Sequence, residues 1–229
     1  MESEAKQQVL KGSSGHFLRT VLAIFFRYLY TTLAWSYDAV AWLSSMGQWR
    51  TWQSAAVQAY PGLVLELGHG PGHLLLDLEK TGNHVIGVDL SSQMTAIANR
   101  RRKRGASAVS LVQSRAQQLP FAAESFEAIV ATFPTEYILA DETIIEIERV
   151  LRAGGQLVVI GLKRITGRNV LDRFAGWLYR FTGQSGDVDL AWFEPLARVG
   201  LKPELEIVQQ PRAEILRLRA RKPAPHTQP

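Results

Sequence analysis

The sequence predicts an α/β protein in which a mainly parallel sheet is covered on both faces by helices. From Val64 onward, short apolar strands alternate with helical segments, and this alternation is typical of parallel sheets. The chain has 229 residues, 46% hydrophobic and 21% charged, which suits one domain with its own core. It contains no cysteine, so disulfide scaffolds, cysteine nucleophiles and thiolate metal sites are excluded.

The first part of the chain differs from the rest. We expect residues 1–15 to be disordered and 16–59 to form a helical cap. In 17–49, 22 of 33 residues are apolar, but Arg27 interrupts the run, so no membrane-spanning helix is predicted. Tyr28, Trp35, Trp42 and Trp49 recur every seven residues and therefore share one helix face. This aromatic stripe either packs on the domain, where it covers a substrate pocket, or lies in a membrane interface.

The domain itself is expected over 60–222. Gly82 and Gly105 stand where helices end, and Gly154 with Gly155 makes the turn into a fifth strand. Five strands are predicted: Val64–Leu67, His84–Leu90, Ser110–Gln113, Glu127–Phe133 and Gln156–Leu162. Helices are predicted at 72–80, 91–104 and 141–152.

The last part of the chain is less regular. Residues 163–192 are predicted to form a lid insertion that contains a helix over Val170–Phe181. Pro195 suits the first turn of a short helix that ends at Gly200. Two final strands, Glu204–Val208 and Ala213–Arg219, are close enough in sequence to pair antiparallel. Residues 223–229 are expected to be disordered.

The most informative motif is a glycine turn that follows the first strand. Glu66 ends that strand, and Gly68, Gly70 and Gly72 follow before the next helix. Glycines permit a sharp turn and let a ligand approach backbone N–H groups. The second strand ends at Asp89, where an acidic residue binds ribose hydroxyls in doubly wound sheets.

The type of nucleotide follows from what the turn lacks. In a dinucleotide fingerprint the third glycine would stand at His73, and no Gly-Lys-Ser/Thr follows. A carboxylate beside the turn repels a pyrophosphate and attracts an ammonium group. The site therefore suits a zwitterionic nucleoside without phosphate.

With these motifs the sequence resembles the class I S-adenosylmethionine-dependent methyltransferases, and in particular the ubiquinone/menaquinone C-methyltransferase type. The resemblance covers about 60–220 and implies a Rossmann-like, doubly wound, seven-stranded sheet whose last strand is antiparallel. It implies S-adenosylmethionine as cofactor, S-adenosylhomocysteine as product and methyl transfer as activity. The motifs that carry it are 66–72, Val88-Asp89-Leu90, Gln118-Leu119-Pro120-Phe121 with Ser125-Phe126-Glu127, and 149–155, Arg-Val-Leu-Arg-Ala-Gly-Gly.

The resemblance also implies roles for single residues. Glu66 and the turn Gly68, His69, Gly70 and Gly72 would hold the methionine part, with His69 itself expected to turn outward. Asp89 would bind both ribose hydroxyls, Leu90 would pack on the adenine, Ala116 would present its backbone to the adenine edge, and Phe133 would line the methyl-transfer end. The chain departs from the family at Arg115, where an acidic residue commonly receives the adenine amino group. Arginine has no acceptor, so adenine recognition is expected to use backbone groups.

The acceptor is predicted to be a lipophilic small molecule, either a quinone precursor or an aminolipid. The segment from Tyr37 to Arg50 resembles the entry segment of quinone C-methyltransferases and some phospholipid N-methyltransferases, which helps to cover the active site. Tyr37, His73, Glu136 and Tyr137 are the candidates for catalytic groups near the acceptor. A soluble metabolite or RNA as acceptor, or a catalytically silent binding module, are the alternatives.

The remaining expectations concern partners. The formal net charge is +5, and Arg100 to Arg104 form a basic run at a predicted helix end, where cations favour the helix dipole. No nucleic-acid partner and no metal are expected, and the sequence predicts no oligomeric state. The predicted location is the cytoplasm, with contact to the inner face of a membrane if the aromatic stripe touches lipid.

Overall fold

A computed structural model describes residues 45, 47–167 and 193–224, and within them a seven-stranded sheet organises the molecule. The helices are α1 (Trp49–Gln53), α2 (His73–Lys80), α3 (Ser92–Arg104), α4 (Asp141–Val150) and α5 (Phe193–Arg198). The strands are β1 (Leu63–Leu67), β2 (His84–Asp89), β3 (Ser110–Gln113), β4 (Phe126–Thr132), β5 (Leu151–Ile165), β6 (Lys202–Gln210) and β7 (Ala213–Arg221). Short 3₁₀ turns cover Ser54–Ala56 and Glu136–Leu139.

The strand order is β3-β2-β1-β4-β5-β7-β6. Pairs within the first five strands are parallel, and β7 runs antiparallel to both β5 and β6. This confirms the predicted doubly wound sheet with an antiparallel last strand. Because β1 lies between β2 and β4, the loops after these three strands meet at one edge of the sheet, where ligands bind in open α/β sheets.

Two apolar clusters fix the helices to the two faces of the sheet. One packs α1, the turn Ser54–Ala56 and α2 against β1, β5 and β7. The other packs α4 and α5 against the opposite face. Strands covered on both sides explain the near-continuous apolar runs from which the fold was predicted.

The short helix α1 lies beside the edge of the sheet that carries the loops after β1 and β4. The Trp52 side chain is fully buried, and its Nε1 donates to the Pro211 carbonyl at 3.3 Å. Arg50 reaches Asp77 on α2 at 2.7 Å. Trp49, the last residue of the aromatic stripe, is partly buried against the same apolar cluster, so this end of the stripe packs on the domain.

The structure corrects several predicted bounds. The fifth strand is longer than Gln156–Leu162, since Gly154 (φ 81°) lies within it where the register with β4 shifts. At its other end, pairing with β7 continues to Ile165, so 163–165, predicted as the start of a lid, are strand. Pro195 lies in the first turn of α5 as predicted, but the helix ends at Arg198, two residues before Gly200. Most of 1–59, the predicted helix Val170–Phe181 and 225–229 lie outside the described residues.

Within the described ranges, no helix combines the length and apolar character that crossing a membrane requires.

Candidate active site

The glycine turn links β1 to α2 in a backbone conformation that suits glycine. Gly68, Gly70 and Gly72 have φ values of 72°, 51° and 80°, a region that other residues rarely adopt. A Cβ on Gly72 would lie 2.8 Å from the Ala98 Cβ on α3, whereas a Cβ on Gly70 would meet no atom within 4 Å. Gly72 is thus needed for packing, and Gly70 leaves open space for a ligand beside the backbone.

Asp89 holds this turn in place from the end of β2. Its Oδ2 accepts from the Gly70 N–H and its Oδ1 from the Ser91 N–H, both at 2.8 Å. The residue is only partly buried, and each carboxylate oxygen has a further lone pair. Asp89 can therefore organise the turn and still accept hydrogen bonds from two ligand hydroxyls.

Glu66 lies beneath the turn as a buried carboxylate. The residue is 1% exposed, and among the described residues its Oε2 has no hydrogen-bond partner. Burial, and then the negative charges of Asp89 and Asp77, raise the pKa of the Glu66 carboxyl well above its usual range. An ammonium group placed here would supply the missing partner and neutralise the charge.

The other end of the site is apolar. Leu90 follows Asp89 with 63% of its surface exposed, while Ala116 in the loop after β3 is buried. Arg115 is exposed. A large apolar side chain left uncovered beside Asp89 suits the face of an adenine ring.

His69 does not turn outward, so that expectation is wrong. It is 3% exposed, its ring lies against Gly87, and Nδ1 is 2.7 Å from the Gly70 carbonyl. Burial lowers the pKa of the imidazole, partly opposed by the Asp89 charge. The ring fits because Gly87 has no side chain, since a Cβ there would lie 2.9 Å from His69 Cδ2.

The four candidate catalytic residues are placed differently. The Tyr137 hydroxyl lies over the glycine turn, 2.6 Å from the position of a Gly68 Cβ and 3.4 Å from the Leu67 carbonyl. Glu136 precedes it in an exposed position, and His73 opens α2 directly after the turn. Tyr37 lies outside the described residues. Among these candidates, Tyr137 is the one for which a side-chain contact with the turn is described.

Phe133 stands directly after β4, as the resemblance implies, and side chains of α1 lie beside it. Its ring centroid is 4.4 Å from that of Trp49 and 6.5 Å from that of Trp52. Gln53 Nε2 donates to Thr132 Oγ1 at 3.1 Å. Trp49 carried a signal, because it ends the seven-residue aromatic stripe, but nothing in the local sequence marked Gln53.

Arg101 is a second residue that sequence reasoning placed only in the basic run. Its guanidinium donates to the Pro71 carbonyl inside the glycine turn. In the described part of the chain, no three acidic or histidine side chains are grouped so that they could hold a metal ion.

Together these groups fit S-adenosylmethionine, the cofactor that the resemblance implies. The unpaired Glu66 oxygen suits its ammonium group, and the open face at Gly70 leaves room for its methionine part. Asp89 suits the ribose hydroxyls, and Leu90 suits the adenine. The fit rests on one buried acceptor without a donor and one uncovered apolar side chain, which the protein alone leaves unsatisfied.

Comparison with known proteins agrees with this geometry. The methyltransferase domain family matches residues 65–159. A demethylmenaquinone methyltransferase of Thermobifida fusca is 33% identical over 155 residues, which cover 65% of each chain. The ubiquinone/menaquinone biosynthesis C-methyltransferase UbiE of Syntrophotalea carbinolica is 32% identical over 168 residues, 66% of this chain and 71% of that one. The alignment thus spans slightly less than two thirds of the first relative's length.

Solved structures share the fold at lower identity. A SAM-dependent methyltransferase from Aquifex aeolicus has a TM-score of 0.56 at 18% identity, covering 70% of this chain and 82% of that chain. Similarity at this level supports the architecture of the domain.

Proposed function

Because the chain belongs to the class I S-adenosylmethionine-dependent methyltransferases, we propose that it methylates a ring carbon of a lipophilic quinone precursor. The observation that carries the cofactor half is the buried Glu66 Oε2, which has no hydrogen-bond partner in the described part of the chain and lies beside the open glycine turn. The acceptor half is supported by two relatives, one named as a demethylmenaquinone methyltransferase and one as a ubiquinone/menaquinone biosynthesis C-methyltransferase, which are 33% and 32% identical over about two thirds of this chain.

The residues at the carboxyl edge of the sheet divide the work of binding the cofactor. S-adenosylmethionine, when bound, supplies an electrophilic methyl group on a sulfonium. Glu66 would hold the ammonium, Asp89 the ribose, and Leu90 with the Ala116 backbone the adenine. Since Asp89 already fixes Gly70 and Ser91, the turn is organised before the ligand arrives, which reduces the entropy lost on binding.

Transfer to a ring carbon forms a carbon–methyl bond, breaks the methyl–sulfur bond and releases the proton that the carbon carried. The protein has to align the two reactants and give that proton a path. Tyr137 is the described candidate whose side chain reaches the turn. We assign it to hold the acceptor and to relay the proton toward solvent, where the preceding residue, Glu136, is exposed.

The test is a methyl-transfer assay with a short-chain demethylmenaquinol and labelled S-adenosylmethionine. We expect a methylated ring product from the wild type. Calorimetry with S-adenosylhomocysteine should show micromolar binding that Asp89→Ala weakens tenfold or more, because a charged acceptor for two hydroxyls contributes on the order of 1.5–3 kcal/mol.

Tyr137→Phe separates acceptor chemistry from cofactor binding. It should leave S-adenosylhomocysteine affinity within about twofold of wild type and slow turnover by about tenfold or more, the scale of one proton-transfer group. Phosphatidylethanolamine in the same assay is the comparison acceptor. Methylation of that lipid and not of the quinol would assign the protein to aminolipids, and absence of S-adenosylhomocysteine binding would contradict the cofactor half.

A further inference from the structure

A wall of aromatic side chains stands where β4 ends, beside the glycine turn. Phe133 has a φ of 48°, which is rare for a bulky residue and is found where the surrounding structure enforces it. The Phe133 N–H donates to the Ile160 carbonyl at 2.7 Å. The backbone thereby directs the ring toward α1 instead of continuing the strand.

The two tryptophans of α1 meet this ring in different ways. Trp52 is fully buried and fixed through Pro211, so it supports the wall from behind. Trp49 is only partly buried and lies nearer to Phe133, at 4.4 Å with planes tilted by 35°. Trp49 and Phe133, both partly exposed, therefore offer aromatic surface at the end of β4.

One polar pair stands beside the aromatic surface. Gln53 Nε2 donates to Thr132 Oγ1, which directly precedes Phe133. That bond uses one donor of the carboxamide, and the amide oxygen accepts no hydrogen bond from the described residues. An apolar wall with one polar group that can orient a ligand is the usual composition of a small-molecule site.

The wall is tied to the cofactor turn through α2. Arg50 of α1 bridges to Asp77 of α2 at 2.7 Å, and the glycine turn opens α2 at His73. The same short helix thus carries Trp49 and Gln53 and is joined to the helix that begins at the turn. This fixes the distance between the aromatic wall and the cofactor end of the site.

We propose that Trp49 and Phe133 stack against a planar aromatic ring of the acceptor, and that the Gln53 amide oxygen accepts a hydrogen bond from a hydroxyl on that ring. This inference rests on the proposed function and deepens it. Trp49 supplies affinity for the ring, because aromatic pairs favour offset or tilted stacking. Gln53 supplies specificity, because a site built to bind a hydroxyl rejects a ring without one.

The test uses 1-naphthol and naphthalene, which share one ring system and differ in the hydroxyl. Binding of each is measured by calorimetry on full-length protein saturated with S-adenosylhomocysteine. The wild type should bind naphthol more tightly than naphthalene. Trp49→Ala should weaken both probes by about tenfold, and Trp49→Phe should restore most of the loss.

Gln53→Leu should weaken naphthol by about tenfold and leave naphthalene within about twofold, because only the hydroxyl loses its partner. Gln48→Ala is the matched control on the same segment, since its side chain makes no capping bond, and it should change neither probe. S-adenosylhomocysteine affinity, measured for every variant, should stay within about twofold of wild type and so verifies folding.

A turnover arm distinguishes this inference from the proposed function. With demethylmenaquinol, Trp49→Ala and Gln53→Leu should raise KM more than they lower kcat. If the wild type methylates the quinol and both variants have the same KM and kcat as the wild type, the proposed role of Trp49 and Gln53 is refuted and the proposed function is retained. If the wild type binds naphthol through Trp49 and Gln53 but does not methylate the quinol, the proposed ring-binding role is retained and the proposed function is refuted. If the wild type does not bind naphthol, the proposal that Trp49, Phe133 and Gln53 bind an aromatic ring with a hydroxyl is refuted directly.

Discussion

At the scale of single residues, the ionised Glu66 carboxylate favours cofactor binding but lowers the stability of the ligand-free protein. It is buried, and one of its oxygens has no hydrogen-bond partner among the residues that the structure describes. Asp89 and Asp77 add negative charge around it. A buried charge without a partner destabilises the folded state unless it is neutralised. The cofactor's ammonium group would provide that neutralisation, so the cost belongs to the ligand-free protein.

We predict that Glu66→Gln stabilises the free protein and weakens its cofactor binding. The folded pKa of Glu66 is raised, so its contribution to stability is complete below the unfolded pKa and is lost as pH rises through the folded pKa. The Tm of the variant should therefore exceed that of wild type by a few degrees at pH 8, where about 1 kcal/mol corresponds to ~2–4 °C in a chain of this size.

The same comparison at pH 4 provides the control, because Glu66 is then mostly protonated in both the folded and the unfolded wild type, and the difference in Tm should shrink. S-adenosylhomocysteine should raise the Tm of wild type much more than that of the variant. A variant that is less stable than wild type at pH 8 would show that the carboxylate is already neutralised within the protein.

Cofactor binding should also release a proton when the pH lies below the raised pKa of Glu66. The carboxyl must ionise to hold an ammonium group, although burial and the negative charges of Asp89 and Asp77 raise its pKa. Calorimetry of S-adenosylhomocysteine in two buffers of different ionisation enthalpy measures this release, and affinity should increase as pH rises. Glu66→Gln should release fewer protons, and equal release by both proteins would assign the proton to another group.

At the scale of elements, α3 clamps the glycine turn from the side. The Ala98 Cβ fits under Gly72 at a distance that excludes any other residue there, and Arg101, one turn further, donates to the Pro71 carbonyl. Ser91, whose hydroxyl accepts from the Met94 N–H at 3.2 Å, begins this helix right after Asp89. The cofactor turn is therefore shaped by the helix that follows it in the fold as well as by its own glycines.

Arg101→Met is predicted to weaken S-adenosylhomocysteine binding by about five- to tenfold, since a charge-assisted bond to the turn is lost. Arg100→Met is the matched control, because Arg100 is exposed on the same helix and in the same basic run. Arg101→Lys should recover part of the affinity. Equal binding by Arg101→Met and Arg100→Met would show that the contact does not shape the turn.

Strands and helices were predictable where their ends carry chemical signals. Gly82, with a φ of 84°, ends α2 as expected, and the Ser91 cap starts α3. The fifth strand was predicted too short because the pair Gly154-Gly155 reads as a turn. In the structure the two glycines lie in an irregular part of one continuous strand. Pairing with β7 extends that strand to Ile165. Such pairing joins residues far apart in sequence, so no local pattern shows it.

The cofactor side of the site was more predictable than the acceptor side for the same reason. Glu66, Gly70 and Asp89 lie in two short segments whose spacing follows from consecutive strands and turns. Trp49 and Gln53 reach the site only because α1 docks beside a strand about 80 residues later in the chain. The orientation of His69 depended on the missing side chain of Gly87 in the next strand, which the turn itself does not reveal.

At the scale of the whole molecule, the basic run of α3 lies beside the cofactor turn at Arg101 and extends away from it to the end of the helix. The helix starts after the carboxyl end of β2 and runs 13 residues, about 20 Å, toward the start of β3. Arg101 and Arg102 turn inward to the Pro71 and Val109 carbonyls. Arg100, Lys103 and Arg104 are exposed, and the last two lie at the end of the helix that is farthest from the cofactor turn. An acceptor held in a membrane would have to enter at the carboxyl edge of the sheet, where the candidate active site lies.

If the acceptor is a membrane-held quinone precursor, the protein should bind vesicles through its aromatic N-terminal region and not through this basic run. Residues 17–60 contain 11 of the 21 aromatic residues, and α1, at the end of that region, lies beside the site. Full-length protein should co-sediment with phosphatidylglycerol vesicles, and removal of residues 1–30 should reduce binding several-fold. The control is a triple variant that combines Arg100→Ala, Lys103→Ala and Arg104→Ala, and it should bind vesicles as well as the wild type does. Raising the salt to 0.5 M should reduce vesicle binding of both proteins by the same moderate amount, because the charges whose attraction to the vesicle is screened lie outside this run. If the triple variant lost vesicle binding and the variant without residues 1–30 retained it, the membrane would contact the basic run and not the active-site edge of the sheet. The acceptor would then be a soluble molecule.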